Sequence, residues 1–105
     1  MADTYWISTF TADKTTPKGT YDDRRSNTLA ALRAVSDGWW AETTSFVVFG
    51  SEKSTDELVK IIKGRIDTAC DIVLLGKTET KVLRHIGLDE YPGVLATLVP
   101  FMKKS

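Results

Sequence analysis

SFVVFGSEKSTDELVKIIKGRIDTACDIVLL, residues 45–75, sets the architecture of this chain. It opens with the unbroken apolar run Phe46-Val47-Val48-Phe49, the pattern of a strand buried on both faces. Ser54 and Glu57 then make an S-x-x-E capping box, in which a hydroxyl and a carboxylate satisfy amides that a helix start leaves unpaired. Behind the box, Leu58, Ile61, Ile62 and Ile66 form one apolar stripe at helical spacing. Ile72 to Leu75 is a short buried strand that Gly76 is expected to end. The whole segment reads as strand, helix, strand.

Working outward, Thr4 to Thr11 (TYWISTFT) is rich in aromatic and β-branched residues and predicts a strand. Tyr5, Ile7 and Thr9 share one face; Trp6, Ser8 and Phe10 share the other. Apolar residues on both faces place this strand centrally. Ala12 to Thr20 is a loop punctuated by Pro17 and Gly19. A helix is predicted from Asp22 to Asp37, with Leu29, Leu32 and Val35 inward, Asp22 and Asp23 at its positive end and Gly38 as its stop. Trp39 to Thr43 predicts a further strand before Ser45. The order β-α-β-β-α-β is the split βαβ pattern of a ferredoxin-like sandwich. The expected fold is α+β: a four-stranded antiparallel sheet, with two helices on one face, over a core of about residues 4–76. Residues 1–105 then make one domain, as this length suggests.

Residues 78–105 form a C-terminal extension with a weaker pattern. Lys81 to Gly87 suits a fifth strand, and Asp89 to Val99 a short helix starting near Pro92. An extended segment pairing with another chain fits the same residues; strand then helix is preferred. Val94, Leu95, Leu98, Val99 and Phe101 require cover, either on the sheet face that the helices leave open or in a dimer.

Composition excludes several classes. With 42% hydrophobic and 27% charged residues the chain is ordinary for a globular protein. Fourteen basic residues balance fourteen acidic ones, so the positive excess of a dedicated nucleic-acid binder is absent. One cysteine, Cys70, rules out an internal disulfide and fits a reducing compartment. The start, MADTYWISTF, lacks a signal-peptide pattern, and no stretch reaches the roughly 18 apolar residues of a membrane span. A cytoplasmic protein is expected.

The residues resemble a known group, the SinR-family proteins of the superfamily that includes VapD-type endoribonucleases and the small CRISPR-associated nuclease-fold subunit. The resemblance rests on Tyr5-Trp6-Ile7-Ser8 in the first strand, Trp39-Trp40 after Gly38, and Thr44-Ser45-Phe46-Val47-Val48 in the third strand. Ile66-Asp67 after the second helix and Asp71 ahead of the fourth strand complete it, so it covers roughly residues 4–76. It implies the ferredoxin-like fold and a dimer. In the nuclease members an aspartate near the end of the first strand is the proposed metal ligand, and two such carboxylates across a dimer would hold a divalent ion. Phe10 stands at that position here, and a phenyl ring cannot ligate a metal. Asp13, three residues on, is the one weak substitute. The departure argues against family-type nuclease activity, and neither a metal nor a cofactor is expected.

Other candidates weigh function against packing. Trp39-Trp40 would serve as a stacking platform for a base or, preferentially, as core and dimer packing, since alternate residues of a strand face opposite ways. Lys14, Lys18, Arg24 and Arg25 cluster around the first loop and helix start and would suit a phosphate backbone, with Asp13, Asp22 and Asp23 neutralising much of their charge. His85 has no orienting partner or nucleophile at readable spacing, and Cys70 reads as a small buried residue. Gly76-Lys77-Thr78 lacks the spacing of a phosphate loop. Two functions follow. The first is a non-catalytic homodimeric interaction module with Trp39, Trp40, Val94, Leu95, Leu98 and Phe101 at its packing surfaces. The second is a nucleic-acid binder or residual nuclease using the Lys14, Lys18, Arg24 and Arg25 cluster.

Overall fold

The computed structural model describes residues 2–105. Its strands are β1 (Asp3–Phe10), β2 (Trp39–Trp40), β3 (Phe46–Ser51), β4 (Ile72–Lys77), β5 (Leu83–Gly87) and β6 (Met102–Lys104). Its helices are α1 (Tyr21–Arg33), α2 (Thr55–Lys63) and α3 (Val94–Leu98). The six strands form one sheet in the order β2-β3-β1-β4-β5-β6. The expected four-stranded, wholly antiparallel sheet is therefore corrected. β5 adds to β4 antiparallel, and β6 adds to β5 in parallel. Leu83 and Ile86, both buried, make that extra strand part of the core and not an appendage to it.

β1 is central, paired to β3 on one side and β4 on the other, as its two apolar faces predict. Tyr5 and Ile7 face α1 and α2. With Val47, Phe49, Val73, Leu75 and Ile86 from the sheet, and Leu32, Leu58 and Ile62 from the helices, they form the core. Burying a large aliphatic or aromatic side chain contributes about 1.5–3 kcal/mol, so this layer carries much of the stability. The Tyr5 and Phe49 rings stack at 5.8 Å within it, and the Tyr5 hydroxyl donates to the Lys53 carbonyl at 2.9 Å.

Boundaries shift for identifiable reasons. The Ser54–Glu57 box caps α2 reciprocally, as expected. α1 carries a second box, Thr20 with Asp23, and begins one residue early. It ends at Arg33 and not at Asp37, because the next turn is claimed by β3: the Asp37 amide donates to Gly50 at 2.7 Å, and the Gly50 amide to Gly38 at 3.2 Å. Gly50 is obligatory there, since a Cβ would meet the Asp37 carbonyl. β2 is two residues long, and residues 41–45 turn away from the sheet. Gly76 does not end β4 but lies inside it, directly beneath the Trp6 indole, which a Cβ at 76 would strike. The predicted fifth strand and the helix after Pro92 both form; β6 is the element that sequence pattern did not reveal.

Candidate functional site

The best-built polar feature joins α1 to β4. Arg24 is fully buried, and its Nε donates to Asp71 Oδ2 at 2.7 Å, with Nη2 to Asp71 Oδ1 at 3.2 Å. Its remaining N–H groups hold the first loop: Nη1 donates to the Lys14 and Gly19 carbonyls at 2.7 and 2.8 Å, and Nη2 to the Ala12 carbonyl at 2.7 Å. Asp71 accepts in turn from the Ala12 and Asp67 amides, both at 2.9 Å. A buried pair is tolerable only when its other valences are satisfied, and here they are. Hydrogen bonding to Asp71 keeps the Arg24 guanidinium charged despite desolvation. Burial alone would raise the Asp71 carboxyl, but the bonds from Arg24 and the two amides outweigh it and hold the carboxyl below its usual value. Arg24 is thus removed from the basic cluster that the sequence predicts. It is a structural knot, out of reach of any phosphate.

That knot fixes the loop carrying Lys14 and Lys18, both exposed. Lys18 stands beside Asn27 and Arg65 at a shallow depression between α1 and the end of α2. Asp13 is exposed on the same loop, and no group of three or more His, Cys, Asp or Glu gathers anywhere among the described residues.

Arg25 has the opposite surroundings to Arg24. It is half-buried, donates once, to the Thr44 carbonyl at 2.7 Å, and has no carboxylate within ion-pair distance among the described residues. It lines a cleft of about 530 Å³ between the end of β1, the start of α1 and the turn before β3. Tyr21, one helical turn before Arg25, and Phe10 flank the opening, 37% and 55% exposed. Thr9, Thr11, Thr44 and Ser45 complete the wall.

The other surface of note is the sheet face opposite α1 and α2. Trp6 and Phe46 stack there at 6.0 Å, beside Val48, Ile72 and Leu74. α3 meets Ile72, Leu74 and His85 around an apolar groove of about 290 Å³, yet α3 itself has no buried residue. His85 is buried; its Nε2 lies 2.8 Å from the Leu88 carbonyl, so Nε2 carries the proton and Nδ1 is left without a partner. Of the predicted tryptophan pair, Trp39 turns to the core against Phe49 and the Arg33 guanidinium, each at 5.7 Å. Trp40 turns to the open face and is 46% exposed. Val94, Leu98 and Phe101 are exposed, and Leu95 is half-buried at the groove. Cys70 is buried, and desolvation pushes its thiol up, which makes it a poor nucleophile.

Sequence reasoning missed the Arg24–Asp71 pair and the Arg25 cleft. The signal for the first is an arginine at the head of the i, i+4, i+8 row Arg24, Thr28, Leu32, all buried. No helix of the described residues is long and apolar enough to cross a membrane. No protein-family model matches the chain, and neither the curated proteins nor the solved structures give a significant match.

Proposed function

We propose that this protein is a non-catalytic interaction module that acts as a homodimer through the open face of its sheet. The observation that carries the reading is the exposure of the tail helix: Leu98 is 74% exposed and Val94 54%, with Phe101 exposed just after it, while Trp40 is exposed at the far edge of the same sheet, on β2. Such apolar clustering on a folded chain marks an interface. A second copy is the occupant we favour, because a net charge of zero opposes no self-association and the open face carries exposed apolar side chains that a second copy of the same face would cover. The helix-covered part, residues 3–77, supports a ferredoxin-like plait: its elements run β1-α1-β2-β3-α2-β4, and its strands lie in the order β2-β3-β1-β4. That arrangement agrees with the SinR-like resemblance, which remains part of the proposal.

Sedimentation velocity over a wide concentration range tests the dimer. A reversible dimer is expected, abolished by Leu98→Asp and by Phe101→Asp. A chain that stays monomeric at the highest concentration overturns the reading.

A second reading, nucleic-acid binding, is favoured by one observation: the loop bearing the exposed Lys14 and Lys18 is pinned in place by Arg24. With Arg24 withdrawn, three cations remain, and binding of single-stranded RNA would weaken with salt roughly as that number of phosphate contacts dictates. Retention indifferent to salt would dismiss it. Manganese-dependent cleavage lost in Asp13→Ala would restore the nuclease reading.

A further inference from the structure

Arg25 is the best-placed free cation beside a cavity, and what surrounds it defines a ligand. Its guanidinium has five N–H donors and uses one, on the Thr44 carbonyl. Among the described residues no acidic side chain lines the cleft, and none lies within ion-pair distance of Arg25. Thr11, Thr44 and Ser45 line the same space, and none of their hydroxyls donates to another protein group among the described residues. A cation with spare planar donors, ringed by hydroxyls, is the chemistry that holds a phosphate or similar tetrahedral anion. The neighbouring Asp23 does not oppose it, because that carboxylate is turned to the Thr20 amide in the capping box.

The second half of the ligand is set by the two rings. Phe10 and Tyr21 line the cleft, exposed and with no aromatic partner among the described residues, whereas Tyr5 stacks with Phe49 and Trp6 with Phe46. Exposed rings beside an anion site offer π-faces to a planar group. The cleft, at about 530 Å³, falls within the size range of small-molecule sites and exceeds what a bare phosphate needs.

We infer that the cleft between β1, α1 and the turn before β3 binds a nucleoside monophosphate, with the phosphate on Arg25 and the base against Phe10 and Tyr21. The site lies at the end of β1, and its Arg25 and Tyr21 belong to α1, on the side of the sheet opposite α3, so Arg25→Gln tests it apart from the dimer reading. Loss of one leaves the other standing.

Calorimetric titration with adenosine and uridine monophosphates tests it, with inorganic phosphate, adenosine and a short oligoribonucleotide as comparison arms. Saturable binding of a monophosphate is expected, at least tenfold tighter than phosphate or nucleoside alone. Arg25→Gln should weaken it tenfold or more, Arg25→Lys less, and Phe10→Ala several-fold. Phe10 is exposed, so Phe10→Ala should melt as the wild type does, and a change in its affinity reports the site and not the fold. No binding at millimolar monophosphate overturns the inference. Binding unchanged in Arg25→Gln and Phe10→Ala overturns it too, as does an oligoribonucleotide that binds when no mononucleotide does.

Discussion

On one face of the sheet, Tyr5, Ile7, Phe49, Val73 and Leu75 disappear beneath α1 and α2; on the other, Trp6, Phe46, Val48, Ile72 and Leu74 of the same strands stay half-buried. The first face is closed by two capped helices and fastened at one end by a buried ion pair with every valence used. The second is met by a five-residue helix that buries nothing of its own. The closed face has spent its apolar surface on folding, and the open face keeps apolar surface exposed, as the proposed dimer requires. Arg24 and Arg25 repeat the contrast at residue scale: adjacent in sequence, one is locked into the fold and the other is held by a single bond.

If the contrast holds, the largest effect belongs to the knot. Arg24→Ala leaves Asp71 charged, buried and unpaired, and should cost about 3–5 kcal/mol in urea unfolding, whereas Arg25→Ala loses one partly exposed hydrogen bond and should cost about 1 kcal/mol or less. Equal costs would break the distinction between the two arginines.

Acid probes the same pair. The folded Asp71 carboxyl lies below its ordinary value of 3.8, so at neutral pH both folded and unfolded chains carry it ionised and its stabilisation is complete. As pH falls through the ordinary value, the unfolded chain takes up the proton first, and stability is lost until the folded carboxyl also titrates. Melting temperature should therefore drop more steeply below about pH 4 in the wild type than in Asp71→Asn, which is already destabilised and has no such proton to bind. Parallel slopes would mean that other carboxylates govern acid unfolding.

Gly76→Ala tests how firmly the open face is packed. Its new methyl collides with the Trp6 indole, and overpacking of this kind costs about 1–3 kcal/mol. One indole N–H resonance should shift, and a spectrum in which none moves would show that Trp6 is not seated on β4. The smallest effect on folding belongs to the tail. Leu98→Asp should change monomer stability by no more than about 0.5 kcal/mol, as expected of an exposed position, while removing the dimer. A large loss of stability would place Leu98 in the fold of the single chain and not at an interface.

Much of the scaffold was legible because its signals are local. The Ser54–Glu57 box, the α2 stripe and the alternation of β1 each operate within a few residues, and all three appear where the sequence placed them. The ends of α1 and β2 were not legible, since Asp37 and Gly38 leave the helix to bond Gly50, a partner whose position depends on β3 being in register with β1. Of the candidate sites, Trp39 and Trp40 divide between faces as strand alternation requires. The basic cluster, in contrast, was misread at Arg24, because charge on a helix is ordinarily solvated and nothing near it in sequence announces Asp71, 47 positions away.

By itself, then, the sequence determined which segments of residues 3–87 are strand or helix, though not all their ends, and that β1 is central, because periodicity and capping act between near neighbours. The tertiary structure decided which of two adjacent arginines is buried, that Gly76 lies beneath Trp6, and that Phe10, Tyr21 and Arg25 share one cleft. Those outcomes depend on distances between chain segments far apart in sequence, and they are fixed only once the sheet has its register and α1 its angle upon it.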